Sequence, residues 1–210
     1  GLIMAGLTSE FPAFLSPLWK DTAAHSFKEK YSDDEWLRYE EALQFAAEAH
    51  KGAYRKGTKI PYIVHPVEVS WLTAQLEPSI DVVIAAALHD VVEDTEFQLS
   101  DISRRFGDDV ARLVQYESED KRPDMPAEAS WRMRKEEFLA HLDSAPVEAK
   151  MISLADKLSN ICATERDHRR IGDKVWLKFN QKDKSEQKWY YRSIAESTRE
   201  LQSTALWREY

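Results

Sequence analysis

Residues 85–94 read AAALHDVVED. The small and aliphatic run that leads into them from Val82 has the composition of a helix buried on every side. It then ends on His89, Asp90, Glu93 and Asp94. Charged groups stay in a protein interior only when they are paired, neutralised or attached to a metal. On one continuous helix His89 and Glu93 share a face, as do Asp90 and Asp94, because each pair is four residues apart. Adjacent residues diverge by about 100° on a helix, yet a cavity at the flank can receive both His89 and Asp90. Imidazole with carboxylate is a mixed nitrogen and oxygen donor set, suited to Mn, Fe, Zn or a similar divalent ion.

Two ligands make a poor site, so others are expected. His65 lies in YIVHP, where a loop enters a helix, and Asp156 lies in SLADKLSN. Around Asp156, residues Ile152, Leu154, Ala155, Leu158 and Ile161 mark a largely buried helix. Taken singly, a histidine before proline caps or fills a core, and a buried aspartate bonds a helix junction. Taken together, His65, the His89–Asp90 doublet and Asp156 give the charges of the opening stretch a common partner, one divalent cation.

The rest of the chain has helical periodicity and no sustained alternation of apolar and polar residues, so the expected class is all-α, a single helical bundle. Asp33 or Asp34 is expected to cap a helix running to His50, with Trp36, Leu37, Leu43, Ala46 and Ala47 inward. Residues 51–66 form a loop, and Pro66 sits in the first turn of a helix to Gln75. One helix is expected from Asp81 through the opening stretch. Ser100 should cap the next, and Gly107 separates it from another. Further helices are expected at about 127–142, 146–168 and 184–207, and residues 1–32 read as an N-terminal arm before a domain at 33–210.

The 210 residues carry a net charge of −8, which argues against general nucleic-acid binding. The apolar run Val82–Leu88 is too short to span a membrane. A single cysteine, Cys162, excludes an internal disulfide and reads as a small core residue. With no basic-then-apolar start, the expected location is the cytoplasm.

These residues resemble a known family. His65, His89–Asp90 and Asp156 match the metal pattern of HD-domain phosphohydrolases, and the closer likeness is to the hydrolase domain of RelA/SpoT proteins. Its blocks are similar to AAEAHKGAYRKGTKIPYIVHPVEV, AAALHDVVEDTEFQLSDISRRFGDDVARLV and AKMISLADKLSNI, with ESEDK and SWRMRKEEF between them. The likeness runs over residues 38–205 and implies a stand-alone alarmone hydrolase that removes the 3′-pyrophosphate of (p)ppGpp. It implies Mn²⁺, one ion held by His65, His89, Asp90 and Asp156, although other divalent ions suit the same donors. It implies Glu93 and Asp94 as the catalytic acidic pair beside the attacking water. Arg55 and Lys56 would be its base- and phosphate-contacting pair, and Lys157 and Asn160 its nucleotide-facing helix. Of Trp189, Tyr190 and Tyr191, Tyr190 is favoured as the aromatic that completes the pocket. Ser118 stands where that family commonly has threonine and keeps the hydroxyl.

That chemistry needs such residues. Phosphate oxygens repel a nucleophile, and a cation relieves the repulsion. A carboxylate that takes the proton of water is typically worth roughly 10²–10⁴-fold. Glu93 and Asp94 are adjacent and titrate as a set, so neither takes a separate role at this point. Arg55, Lys56, Lys59, Lys121, Arg122 and Lys157 are the local cations that would admit an anionic nucleotide. The same fold and metal would also serve (p)ppApp, a nicotinamide dinucleotide 2′-phosphate or another nucleotide. An antitoxin with a toxin partner, and a homo-oligomer, stand as further alternatives.

Overall fold

A computed structural model describes residues 30–210. The expected arm falls on positions that lie almost wholly outside these. Among the described residues the fold is all-α, and an isolated bridge between Tyr54 and Pro61 is the β-type pairing. No helix among them is long and apolar enough to cross a membrane.

The first helix, α1 (Asp33–Ala49), is capped by Ser32, one residue before the expected aspartates. Ser32 Oγ accepts the Glu35 N–H while Glu35 returns a bond to the Ser32 N–H, which satisfies two otherwise orphaned donors. Its buried face is Tyr39, Ala42, Phe45 and Ala46. Leu37 is 57% exposed, so the apolar stripe is rotated from the expected one, and Ala47 is exposed with it. The aromatic rings of Tyr39 and Phe45 command more area than Leu37 and Ala47 and set the phase.

A loop follows whose backbone is closed on itself. Arg55 N–H bonds Ile60 O at 3.0 Å, and Tyr62 N–H bonds Ala53 O at 2.9 Å. Gly57 turns the tip at φ +71°, where a side chain would be strained and would meet Lys178. Helix α2 (Val64–Ala74) begins at once, with Pro66 inside its first turn.

Helix α3 (Ile80–Leu88) is buried along its whole length except Asp81. It packs on α1, on α2, and on two later helices. The expected single helix through residue 94 does not form. After α3 the chain breaks at His89–Asp90 and resumes as α4 (Val91–Asp94). The cause is local: His89 Nδ1 donates to Ala86 O at 2.7 Å and its N–H also turns back to that oxygen. The Ala86 carbonyl is thereby taken from the Asp90 N–H that an unbroken helix would send to it.

Helix α5 (Leu99–Phe106) is capped at Gln98, with Asp101 completing the box, so Ser100 lies inside the helix and does not cap it. Gly107 at φ +98° then separates α5 from α6 (Asp108–Glu117), as its position predicts. Next come α7 (Ala127–Asp143) and α8 (Val147–Ile171), the latter followed by a 3₁₀ turn at Gly172–Lys178. The expected last helix is interrupted: α9 covers Lys184–Ser197, a 3₁₀ turn covers Arg199–Leu201, and α10 covers Ala205–Glu209. Thr198 Oγ1 bonds back to Ile194 O and Thr204 caps α10, so the hydroxyls end one helix and begin the other.

Helix α8 lies against α2, α3, α6, α9 and α10. Helices α3 and α8 thus form the centre, and the residues of interest sit where both meet the start of α2. Cys162 is buried on α8, and burial raises its thiol pKa to about 12, in keeping with a core role.

Candidate metal and phosphoryl-transfer site

His65 from α2, His89 from the end of α3 and Asp156 from α8 come together in the interior. His65 Nε2 is 3.0 Å from Asp156 Oδ1, and His89 Nε2 is 3.6 Å from the same oxygen. Asp90 enters from the other side, with Oδ2 at 3.0 Å from His89 Nε2 and 3.7 Å from His65 Nε2. Ligand atoms of His65, His89 and Asp156 lie within 4.8 Å of one another, a spacing that one ion can span.

The proton positions decide whether a cation fits. A carbonyl only accepts, so His89 Nδ1, bonded to Ala86 O, must carry the ring hydrogen. His89 Nε2, buried without a hydrogen-bond partner, then turns a lone pair towards two carboxylates unless it binds a proton or a metal. His65 is prepared the same way. Its Nδ1 is 2.9 Å from Ser159 Oγ, and Ser159 in turn donates to Glu68 Oε2 at 3.1 Å. Two imidazoles with the far nitrogen tied by the protein, plus two carboxylates, form the kind of supported ligand set that divalent metals use. The titration of His89, Asp90 and Asp156 reflects their crowding. Burial opposes charge on His89, but Asp90 and Asp156 overcome it and hold its pKa well above the ordinary value. Burial likewise opposes charge on Asp90 and Asp156. His89 draws the first below the usual carboxylate range, and Lys157 with the two histidines draws the second far below it.

Glu93 and Asp94 are one turn further on and share a cation. Lys121 Nζ is 2.8 Å from Asp94 Oδ1 and 3.5 Å from Glu93 Oε1, and the Glu119 N–H reaches Glu93 Oε2 at 3.4 Å. Burial, then the charge of Asp90, raise the Glu93 pKa against the opposing pull of Lys121. The segment that supplies these contacts is itself clamped. The Glu119 carboxylate is buried between Arg134 at 3.0 Å and Lys135 at 2.5 Å.

Of the expected nucleotide contacts, Arg55 and Asn160 meet. Arg55 Nη2 donates to Asn160 Oδ1 at 3.3 Å, and Asn160 Nδ2 donates to Asp156 Oδ1 at 3.0 Å, so this pair ties the Arg55 loop to the ligand cluster. Lys157 is half-buried and paired with Asp156, and its ammonium faces the rings of Phe138 and Tyr190. Tyr190 is buried with its hydroxyl unpartnered, and the ammonium groups of Lys135 and Lys157 lie over its ring. Trp189 instead stacks under Arg132, 3.4 Å from the ring centre. Lys56 and Lys59 stay exposed on the loop, and Arg122 pairs with Glu137, so these three are not drawn into the cluster.

Sequence reasoning passed over Tyr62, Glu68, Ser159, Glu119 and Lys135. Ser159 and Glu68 carry no motif signal of their own, because serine and glutamate on a helix read as ordinary surface. Glu117 was also unread as a titrating group. It is buried, accepts a bond from Ser153 Oγ at 2.5 Å, and burial raises its pKa to about 7 against the opposing pull of Lys157. A carboxyl whose folded pKa lies above its unfolded value of 4.5 costs stability once it ionises. Stability should therefore fall as pH rises from about 4.5 through about 7. Glu117→Gln, which can still accept from Ser153, should leave the chelated protein's stability unchanged at pH 4.5. At pH 8 it should add up to about 3 kcal/mol, since a proton held more tightly by a factor of ten is worth about 1.36 kcal/mol. Urea titrations at the two pH values read this directly.

The sequence profile of the HD domain matches residues 42–182. The guanosine-3′,5′-bis(diphosphate) 3′-pyrophosphohydrolase MESH1 of Xenopus tropicalis is 37% identical over 139 residues, covering 65% of this chain and 72% of that protein. Its counterpart of the same name in Homo sapiens is 34% identical over 167 residues, covering 78% of this chain and 84% of that protein. Among solved structures, a metazoan ortholog of SpoT, described as hydrolysing ppGpp and playing a role in starvation responses, superposes with a TM-score of 0.62. It is 26% identical and covers 82% of this chain and 90% of its own.

Proposed function

This chain belongs to the HD-domain family, in its RelA/SpoT-related branch, and on that premise we propose that it hydrolyses the 3′-pyrophosphate of (p)ppGpp to GDP or GTP and pyrophosphate. We take residues 33–210 as the unit that carries the activity, acting in the cytoplasm to degrade alarmone in the stringent response. The observation that carries this reading is the convergence of His65, His89, Asp90 and Asp156 beside an acidic pair held by Lys121.

In this reading those four side chains hold one Mn²⁺. Such an ion supplies charge neutralisation at the phosphates and lowers the pKa of water bound to it. Glu93, with its raised pKa, takes the proton as water attacks phosphorus. The bond from that phosphorus to the ribose 3′ oxygen breaks, the oxygen is protonated, and pyrophosphate leaves. Asp94, bonded to Lys121, holds the ammonium that fixes Glu93 from behind. Lys157 adds positive charge on the Asp156 side, and Tyr190 offers it an aromatic wall and a free hydroxyl. Arg55 and Asn160 receive the nucleotide, and Lys56 joins from the loop as the substrate arrives.

Purified protein incubated with ppGpp and Mn²⁺ should release pyrophosphate, and a chelator should stop it. A panel containing ppApp and NADPH in the same assay ranks the competing nucleotides, and no metal-dependent release from ppGpp would overturn the proposal. Arg55→Ala should raise KM about 10- to 100-fold with a smaller change in kcat, as loss of a charge-assisted contact predicts. Arg55→Lys should recover little of it, because an ammonium cannot stack on a base as a guanidinium does. Initial rates over a range of ppGpp concentrations give both constants.

A further inference from the structure

Asp90 is the least enclosed member of the ligand set. Its side chain is 18% exposed against 1–8% for His65, His89 and Asp156. It also lies outside the group of three whose ligand atoms are all within 4.8 Å of one another. It stands in the break between α3 and α4, and its carboxylate takes no part in capping α4. Within α4, then, no capping bond holds its carboxylate.

Tyr62 supplies what the helix does not. The Tyr62 hydroxyl donates to Asp90 Oδ2 at 2.5 Å, the same oxygen that faces both histidines. Tyr62 is itself held at every level. Its N–H bonds Ala53 O at 2.9 Å, and its carbonyl accepts the His65 N–H at 2.9 Å. Its ring lies between His50 at 5.0 Å and His65 at 5.7 Å, centre to centre. One residue thus links the Arg55 loop, the first turn of α2 and the most exposed member of the set.

We propose that Tyr62 is a positioning residue of the metal centre, its hydroxyl fixing the Asp90 carboxylate in the orientation that accepts the ion. The inference rests on the metal-centre reading above. With one lone pair of Oδ2 committed to Tyr62, the other is left for the cation, and the pocket is arranged before the cation arrives. Supporting groups of this kind typically change metal affinity by about 10- to 100-fold.

Tyr62→Phe removes the hydroxyl and keeps the ring between the two histidines. Tyr39→Phe is the control, since Tyr39 also loses a buried hydroxyl contact, to Ser70 at 2.6 Å, at the packing of α1 on α2. Full-length protein stripped by chelator is titrated with Mn²⁺ by calorimetry, and the melting temperature of each metal-free protein is recorded. Tyr62→Phe should weaken Mn²⁺ about 10- to 100-fold, Tyr39→Phe should not, and metal-free Tyr62→Phe should melt no lower than the control. Equal Mn²⁺ affinity in wild type and Tyr62→Phe would overturn the inference. Equal weakening in both variants would overturn it too, as would metal-free Tyr62→Phe melting far below the control, because the hydroxyl would then serve the fold. Wild-type protein that took up no Mn²⁺ would overturn the metal centre and this inference together. Mn²⁺ bound with ppGpp untouched would strike the substrate alone and leave the role of Tyr62 standing.

Discussion

Asp156→Ala is expected to lose the metal and the hydrolysis together, and to be markedly less stable than the parent. The three effects have one origin. Asp156 Oδ1 faces both His65 and His89 and accepts from Asn160, while Oδ2 pairs with Lys157. Without it the remaining nitrogens and Asp90 form an open, three-sided set. The ammonium of Lys157 keeps the influence of Glu117 and two aromatic faces but loses the carboxylate it is bonded to. Removing one partner of a buried pair typically costs about 3–5 kcal/mol. Asp156→Asn separates the contributions, since it keeps the Asn160 contact and the volume but not the charge. It should bind metal far more weakly than the parent. Metal content after purification, pyrophosphate release and urea denaturation measure the three effects. Asp156→Ala protein that retained full metal would remove Asp156 from the ligand set.

Metal bound to the native state alone also adds stability, by about 2.7 kcal/mol when its free concentration is a hundred times the dissociation constant. The parent should therefore gain on Mn²⁺ addition and Asp156→Ala should not. The comparison asks whether the ion relieves the crowding of His89 against Asp90 and Asp156. Their distances favour that view, because His89 Nε2 faces two carboxylates and has no hydrogen-bond partner of its own.

What could be read from the sequence follows from how each signal is encoded. The helices of the centre were legible because α3 and α8 write their burial as uninterrupted or periodic apolar residues. The cluster of His65, His89 and Asp156 was legible because histidines and acids in apolar surroundings call for compensation wherever the chain takes them. The break after Leu88 was not, since it depends on a side chain, His89, competing for the Ala86 carbonyl, and no propensity scale registers that bond. The phase of α1 was misread for a related reason: Leu37 looks as apolar as Phe45, and only the neighbours decide which is covered. Tyr62, Ser159 and Glu68 stayed hidden because supporting residues act through one hydrogen bond apiece from distant positions. Their types carry no mark of that duty. At 189–191 the structure separates the surroundings of two rings: Trp189 stacks on Arg132, while Lys135 and Lys157 lie over the Tyr190 ring, whose hydroxyl has no partner.

Glu93→Gln separates binding from chemistry, and its expected result is an enzyme that holds Mn²⁺ and nucleotide normally but turns over about 10²–10⁴ times more slowly. The amide keeps the shape of the carboxylate and can still accept the Glu119 N–H, so the segment from 118 to 121 has no reason to move. It cannot take a proton from water. Stability should hold or rise slightly at neutral pH. The Glu93 pKa is raised in the fold, so its ionisation there is unfavourable above its unfolded value, and the amide removes that cost. The same direction predicts the acid limb of the parent's kcat profile. Turnover should fall at a higher pH than an ordinary glutamate would give, and this limb should vanish or flatten in Glu93→Gln. Asp94→Asn should behave differently, because Asp94 is the closer partner of Lys121. Its loss frees Lys121 to pair with Glu93, which lowers the pKa of the base and shifts the limb towards acid. Calorimetric Mn²⁺ titration together with pH–rate profiles of the two variants decides the matter. Loss of metal in Glu93→Gln would make Glu93 a ligand, and identical profiles for the two variants would mean that the acidic pair acts as one group with no division of labour.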